Sequence, residues 1–377
     1  MKPYCIGLMS GTSMDGIDAA LCKIEKDKVV LDTFISVPYS AHQKALIARS
    51  LNKETARLDD ISSLNFSLGQ WLADASLKVI EASHKTSDDI EFIASHGQTI
   101  WHEPHPMSSD HVANTLQIGS PAVIAAITGI TTISDFRSRD VALGGEGAPL
   151  VPMTELKLYG DSRRNQAFLN IGGISNVTFI PKNLKADDII AFDCGPGNCL
   201  SDGFTKFYFN EDYDNQGHYA SQGNIIPEML NEILNEEAIQ RKPPKSTGRE
   251  LFSKEYMLRL EARYDLKQMP YDAVRTAAEA TVQAVVLNIE KYLPTIDTLV
   301  VSGGGSHNDY MMAGLKKTLA HTHVMTGDEA GINSDAKEAI AFAELGLLTV
   351  LGESGNAISV TGAKDYCVLG SITPGNK

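Results

Sequence analysis

Cys5-Ile6-Gly7-Leu8-Met9-Ser10-Gly11-Thr12-Ser13-Met14-Asp15-Gly16-Ile17-Asp18 runs from an apolar arm into a turn of Gly, Ser, Thr and Asp, and Ala19-Ala20-Leu21-Cys22-Lys23-Ile24 supplies a second arm. The pattern predicts a strand, a tight hairpin and a second strand. Gly11 and Gly16 permit backbone angles that other residues resist, so the turn can fold close around a ligand. Backbone N–H groups and the Ser and Thr hydroxyls then face whatever sits there, and phosphate oxygens suit such donors. Asp15 and Asp18 can hold a hydrated divalent cation beside it. Taken alone, the stretch also reads as an ordinary hairpin rich in turn-formers. The choice depends on whether the rest of the chain supplies partners.

Outward from this stretch, the plan recurs. Ala167-Phe168-Leu169-Asn170-Ile171, the turn Gly172-Gly173-Ile174-Ser175-Asn176 and Val177-Thr178-Phe179-Ile180 predict a second hairpin of the same kind. A further echo links Ile90-Glu91-Phe92-Ile93-Ala94-Ser95-His96-Gly97 to Ile296-Asp297-Thr298-Leu299-Val300-Val301-Ser302-Gly303. Each copy follows an amphipathic helix, the first carrying Leu64, Leu68, Trp71, Leu72, Ala75 and Val79 at helical spacing, the second spanning about 273–292. Two halves with one order of elements predict a duplicated α/β unit with a cleft between the copies. The domains are expected at 1–130 plus 353–377, carrying the first phosphate loop and part of the ligand site, and at 131–352.

The 377 residues exceed most single cores, and 43% hydrophobic with 21% charged residues is an ordinary globular balance. A formal charge of -14 argues against nucleic acid and anionic lipid as partners. A phosphate site in such a chain has to be built from backbone donors and a few cations. Cys5, Cys22, Cys194, Cys199 and Cys367 are scattered and odd in number, which suits reduced thiols and argues against a zinc site. The first residues pass directly into a strand, and the apolar runs fall short of a membrane span, so a cytoplasmic protein is expected.

No Gly-x4-Gly-Lys-Ser/Thr loop occurs, and no Gly-x-Gly-x-x-Gly opens a helix after a strand. Instead four small-residue turns follow apolar strands, at Ser10 to Gly16, Gly172 to Asn176, Asp193 to Asn198 and Ser302 to Ser306. Ligands of α/β sheets gather at such strand ends. Asp193, beside a glycine turn, is placed as a base or metal partner, or as an Asp bonding its own turn. Glu338 reads either as the far end of a capping box with Asp335 or as a carboxylate facing the cleft. Arg137 and Arg139 with Asp135 and Asp140 form an anion clamp or a solvated charge cluster. The basic loop Gln240 to Arg249 favours a nucleotide-facing role. His102, His105 and His111 with Glu103 lack fixed helical spacing, which favours loop histidines over a metal site.

On these residues the chain resembles the anhydro-N-acetylmuramic acid kinases of the actin-like and sugar-kinase superfamily. The resemblance covers nearly all of it: GLMSGTSMDGID at Gly7–Asp18, SHGQTIWH at Ser95–His102, DFRSRDVALGGEGAPLVP at Asp135–Pro152, NIGGISNVT at Asn170–Thr178, FDCGPGN at Phe192–Asn198, KPPKSTGRELF at Lys242–Phe252, VSGGGSHN at Val301–Asn308 and KEAIAFAELG at Lys337–Gly346. It implies a duplicated, ribonuclease H-like two-domain fold with an interdomain active-site cleft. It also implies ATP-dependent opening and O6 phosphorylation of 1,6-anhydro-N-acetylmuramic acid in cell-wall recycling, by a cytoplasmic homodimer using ATP and Mg2+.

Carried over by position, the resemblance makes Asp193 the catalytic base, with Glu338 a second catalytic and substrate-site carboxylate. It gives ATP Gly11, Thr12, Ser13, Met14, Asp15, Gly16, Ile17 and Asp18, then Gly172, Gly173, Asn176, Gly195, Gly197, Asn198, Gly303, Gly304 and Gly305. The sugar falls to His96, Gln98, Thr99, Arg137 and Gly147, and Mg2+ reaches Asp18 through ATP. This chain has Cys194 where the family usually has Thr, Glu146 where it usually has Gln, and Met153-Thr154-Glu155 in a stretch that commonly contains His. Two readings of other classes remain. An actin-like ATP-binding switch leaves Asp193, Glu338 and Arg137 without a task, and a two-carboxylate glycoside hydrolase leaves the glycine turns unexplained.

Overall fold

The computed structural model describes residues 1–11, 14–106, 108–247 and 251–376. Thr12 and Ser13 of the first loop, and Gly248 and Arg249 of the basic loop, lie outside the described residues. The strands in chain order are β1 (Tyr4–Met9), β2 (Gly16–Glu25), β3 (Lys28–Pro38), β4 (Ile90–Ser95), β5 (Gln98–Glu103), β6 (Asn114–Ile118), β7 (Thr132–Ser134), β8 (Gln166–Ile171), β9 (Ile174–Ile180), β10 (Ile190–Pro196), β11 (Thr298–Ser302), β12 (His323–Thr326) and β13 (Ser371–Thr373).

By its internal contacts the chain forms two units, Met1–Tyr159 with Asp335–Lys377, and Gly160–Ser334. The sheet of the first unit has the order β13-β7-β4-β1-β2-β3. β1, β2 and β3 form an antiparallel meander, while β4 lies parallel to β1 and β7 parallel to β4. The sheet of the second unit has the order β10-β9-β8-β11-β12. Here β8, β9 and β10 are the meander, and β11 lies parallel to both β8 and β12. Within each sheet the third, second, first, fourth and fifth strands are neighbours in that order, and β13 only extends the first. This repeated topology is the duplicated, ribonuclease H-like arrangement that the sequence predicts. The echo between residues 90–97 and 296–303 has a structural meaning, since β4 and β11 are the fourth strands of their sheets.

The sequence explains the layering. In β1, Cys5, Ile6 and Leu8 are all fully buried, as expected of a central strand covered on both faces. One cover is the helix Lys337–Leu351, whose Ala and Gly residues bring its backbone down onto the sheet. A Cβ on Gly7 would stand 1.8 Å from the Ala339 carbonyl oxygen, and one on Gly346 would stand 2.6 Å from the Phe92 ring. That close approach ties the helix to the first sheet, so the division falls before it rather than at 352. β7 is likewise the fifth strand of the first sheet, so the earlier division falls after Tyr159 rather than at 130. In the second unit the helix Pro270–Tyr292 takes the covering role, burying Ala273, Ala277, Ala280 and Ala284. Among the described residues, no helix is long and apolar enough to cross a membrane.

Candidate active site

In the first unit, side chains converge around the ends of β1 and β4. Met9 pairs with Asp18 across the opening hairpin, and the loop between them is pinned by Met14 N–H donating to the Gly11 carbonyl (3.2 Å) and Tyr39 N–H donating to that of Asp15 (2.9 Å). Gly16 is required by contact, because a Cβ there would meet the Val37 carbonyl oxygen at 2.4 Å. Asp15 is exposed and lies 3.7 Å from Lys44. Ser10 is buried and donates to Gln98 Oε1 at 2.6 Å, with the Tyr39 hydroxyl on its other side at 2.7 Å. The Gln98 amide nitrogen is buried and makes no hydrogen bond within the described residues. A buried donor left open is costly unless a ligand takes it. Thr99 accepts from the Gln117 amide at 3.3 Å.

His96 and Arg137 form a coupled pair. His96 Nδ1 lies 2.8 Å from its neighbour's carbonyl at Gly97, which places the proton on Nδ1 and leaves Nε2 to accept from Arg137 Nη2 at 2.9 Å. Burial and the adjacent guanidinium push the imidazole down to about 3, so the ring is neutral. Arg137 Nη1 also donates to the Gly147 carbonyl at 2.6 Å. Burial pushes the guanidinium down to about 10, opposed by the charges of Glu338 and Asp140, and it keeps its charge at neutral pH.

Asp140 is the organiser that sequence reasoning treated as part of a charge cluster. It is fully buried and accepts from Gly147 N–H (2.8 Å), Asn356 (2.9 Å) and the Thr361 hydroxyl (2.8 Å). Its carboxylate thus fixes the loop whose Gly147 carbonyl holds Arg137. Arg139 instead points away, donating to the Val368 carbonyl at 2.7 Å.

Glu338 stands at the start of the helix Lys337–Leu351, whose N-cap is Ala336. It therefore occupies the second helical position rather than the third, which a capping box with Asp335 as N-cap would give it. Its carboxyl keeps an exposed face, yet the surrounding protein mass raises its pKa, and the charge of Asp18 raises it further against Lys337 and Arg137. Asp18 is raised as well, first by burial and then by Asp335 and Asp15, while a hydrogen bond to Ser36 opposes this. Crowded carboxylates of this kind fit a cation. A Mg2+ ion needs only one or two of them besides phosphate oxygens and water. Among the described residues no three His, Cys, Asp or Glu side chains gather to hold a metal by themselves. His102 lies in β5 against Thr115, His105 contacts Glu146, and His111 is 3.2 Å from Glu103.

The second unit builds its constellation from backbone. Gly197 N–H donates to the Gly173 carbonyl (2.9 Å) and Asn198 N–H to that of Gly172 (2.7 Å). The Asn198 amide then reaches the Ile171 carbonyl at 3.2 Å. A Cβ on Gly197 would stand 2.1 Å from the Gly172 carbonyl oxygen, so the two turns interlock. Gly303, at φ 78°, and Gly305 press on Ile171 in the same way, and Gly304 faces the Asn198 amide. Three of the four glycine turns thus meet at one end of the sheet. Asn176 and Gly195 take other positions. Asn176 lies within β9 opposite Asp193, and Gly195 packs against Ile239 and Ala284. β10 runs on to Pro196, so the turn expected from Asp193 is shorter than its sequence suggests.

Asp193 sits at a bulge. It pairs with Asn176 and Gly195 pairs with Ser175, which leaves Cys194 as the extra residue. Its N–H donates to the Lys245 carbonyl at 3.2 Å, and its Oδ2 accepts from Thr247 N–H at 2.6 Å. Burial raises the carboxyl above its ordinary value, while the Thr247 N–H and the Lys245 charge pull it back. A carboxyl raised in this way, oriented by one backbone N–H on its oxygen while its own backbone is fixed by a second bond, is suited to general-base work. The Cys194 side chain points into the apolar core, where burial raises the thiol far above its usual range. At neutral pH it is an uncharged neighbour of Asp193.

A family model described as anhydro-N-acetylmuramic acid kinase matches residues 3–375. Proteins of that name are similar along the whole chain: that of Clostridioides difficile (strain 630) is 44% identical over 378 residues, covering 98% of each chain. That of Caldanaerobacter subterraneus subsp. tengcongensis is 44% identical over 381 residues, covering 98% of this chain and 96% of its own. Among solved structures, the activator of the 2-hydroxyisocaproyl-CoA dehydratase from Clostridium difficile with bound ADPNP aligns at TM-score 0.44 and 12% identity, over 91% of this chain and 94% of its own. A ROK family glucokinase from Streptomyces griseus in complex with glucose and AMPPNP aligns at TM-score 0.41 and 12% identity, over 91% and 98%.

Proposed function

Since the chain belongs to the anhydro-N-acetylmuramic acid kinase family, we propose that it opens 1,6-anhydro-N-acetylmuramic acid with water and phosphorylates O6 from ATP, giving N-acetylmuramic acid 6-phosphate and ADP. The observation that carries this reading is the full-length match, and it is supported by Asp193, which is held by two backbone bonds. The enzyme is a phosphotransferase with an alcohol group as acceptor, acting in cell-wall recycling. A non-catalytic ATP-binding switch is not favoured.

The anhydro bridge ties up O6, so attack on ATP requires that the bridge open. Asp193 takes a proton from a water that attacks C1. The C1–O6 bond breaks as O6 takes the γ-phosphoryl group, and the β,γ-bridging oxygen leaves with ADP. In our reading the sugar is oriented by Arg137, whose guanidinium suits the lactyl carboxylate or N-acetyl end, and by Gln98, whose open amide donor suits a sugar oxygen. Neutral His96 and Thr99 complete that contact, with Gly147 holding Arg137. Glu338 is the second carboxylate of the site.

The opening loop Gly11–Asp18 and the turns at 172–173, 195–198 and 303–305 serve the nucleotide, the last nearest the adenosine. Asp18, together with the phosphates of ATP, would hold a Mg2+ ion, which would neutralise charge developing on phosphoryl transfer. Use of ATP together with reduced thiols accords with a cytoplasmic enzyme, and a homodimer is the expected assembly. Reaction in 18O-labelled water tests the chemistry: the label is expected in the anomeric hydroxyl of the sugar and absent from phosphate. Label in released inorganic phosphate with the anhydro-sugar intact would reduce the protein to an ATPase.

A further inference from the structure

We propose that Lys245 and Asn288 are positioning residues that aim the Asp193 carboxylate, although Lys245 belongs to a loop whose sequence reads as an anion-facing basic stretch. This rests on the reading of Asp193 as the base.

Lys245 is only 6% exposed. Its ammonium has three donors, and all three are used: the carbonyls of Ala238 (3.1 Å) and Ile239 (2.7 Å), and Asn288 Oδ1 (2.7 Å). The rings of Phe192 and Tyr292 stand 5.8 and 5.7 Å from the nitrogen. A charge enclosed this way has no donor left for phosphate, and moving it out would strip a satisfied cation of its partners. Arg241 and Lys242 of the same loop are exposed, so among the described residues its charge divides into an outer pair and an inner anchor.

What the anchor holds is the backbone around Asp193. The Lys245 carbonyl takes the Asp193 N–H, and two residues later the Thr247 N–H binds the carboxylate itself. On the other side of Asp193 the bulge removes the Cys194 carbonyl from the sheet ladder. Asn288, fully buried in the helix Pro270–Tyr292, donates to that carbonyl at 3.1 Å and to the Ala284 carbonyl at 2.8 Å. Its own oxygen accepts from Lys245. One side-chain amide therefore ties together the two segments that flank the base, the bulge and the loop. Bulges re-aim side chains, and this one is locked from both sides.

The charges facing Lys245 are Asp193, Arg241 and Lys291, with the neutral Cys194 thiol beside them. Burial foremost, helped by Arg241 and Lys291, pushes the ammonium down to about 8. At neutral pH it is charged and helps keep Asp193 ionised. Removing it raises the Asp193 pKa, so the acid limb of the kcat profile moves to higher pH.

The test is a double-mutant cycle on the full-length enzyme, assayed below each variant's melting midpoint, with binding of a non-hydrolysable ATP analogue as the check on folding. Lys245→Met and Asn288→Leu are each expected to lower kcat roughly 10–100-fold, since a displacement of about 1 Å costs on that order. The KM values for sugar and ATP should stay within about twofold, and the double variant should be no worse than the poorer single. Lys245→Gln, which keeps an N–H donor without the charge, should be intermediate in kcat with the acid limb still raised. It also serves if Lys245→Met does not fold. Unchanged kcat and an unmoved acid limb in the Lys245 variants, or losses that simply add, would overturn the inference. Asp193→Asn separates the premise: full activity there removes the base itself, whereas an inactive Asp193→Asn beside a normal Lys245→Met removes only the positioning role.

Discussion

The hairpins β1–β2 and β8–β9 hold the same place in their sheets and solve opposite problems. The first opens into a loop from Ser10 to Asp15, while the second closes through Gly172 and Gly173 alone. Beyond the backbone bonds that pin the long loop at Gly11 and Asp15, its surroundings are joined by side chains: Ser10 with Gln98 and Tyr39, His96 with Arg137. Around the short turn they run between backbones, with Gly197 and Asn198 bonded to Gly173 and Gly172. One topology thus yields surroundings specified largely by side-chain chemistry in one unit and a tightly interlocked set of backbone turns in the other. Function is carried by what is placed on the strand ends, since the strand order is common to both units.

The largest expected effect breaks this symmetry at the proposed base in the backbone-built unit. Asp193→Asn keeps the shape and removes the base, and should cost roughly 10²–10⁴ in kcat with ATP-analogue binding retained. Loss of nucleotide binding instead would assign Asp193 to the phosphate site. Next comes Arg137→Ala in the side-chain-built unit. Loss of a charged hydrogen-bonding group should raise the sugar KM roughly 10–100-fold, with a far smaller change for ATP. Equal shifts in both would reassign Arg137 to holding the loop at Gly147.

Gly197→Ala probes the backbone-built surface itself. Its Cβ would stand 2.1 Å from the Gly172 oxygen, and overpacking of this kind costs about 1–3 kcal/mol. Steady-state kinetics should show ATP KM rising about tenfold with the sugar KM little changed. Gly304→Ala, whose nearest neighbour is the Asn198 amide at 3.1 Å, should be milder. If the two behave alike, the interlocked turns are not what shapes the nucleotide surface.

Much of this was legible because it is local. The two hairpins, the echo between residues 90–97 and 296–303, and the placing of Asp193 beside a glycine turn all follow from short patterns of apolar and turn-forming residues. What was hidden depends on distant partners. The inward direction of Lys245 is set by Asn288, 43 residues away, and a run of basic residues gives no sign of which one turns inward. Asp140 read as one charge among four because its partners Asn356 and Thr361 lie at the far end of the chain. The limit expected at 130 falls early because nothing local shows that β7 joins the first sheet, and the limit expected at 352 falls late because nothing in Gly7 or Gly346 alone shows that a helix lies directly on that sheet. Gly195 read as a turn glycine, yet it is a packing glycine whose neighbours Ile239 and Ala284 come from two separate helices.

The smallest effect compares the units through one buried carboxyl in each. Glu344 is fully buried on the helix Lys337–Leu351, with Oε2 accepting from Val29 N–H at 2.9 Å and Oε1 unpartnered within the described residues. Burial pushes it up to about 7, with Asp27 and Glu353 adding and Lys157 opposing. In the second unit Asp202 is also pushed up to about 7, by burial and then by Asp214, but it is less enclosed. A carboxyl whose folded pKa lies above its unfolded value binds more protons when folded. Its contribution is complete below the unfolded value and is lost as pH rises through the folded one. For Glu344 that window runs from the ordinary carboxyl range to about 7, and tenfold in proton affinity is worth about 1.4 kcal/mol, so the loss is on the order of 3 kcal/mol. Denaturant melts between pH 5 and 8 should therefore show wild-type stability falling, with Glu344→Gln flattening most of that slope and Asp202→Asn a smaller part. A slope left intact in Glu344→Gln would mean that the carboxyl stays ionised in its buried site, and the proton-linked contrast between the units would fall with it.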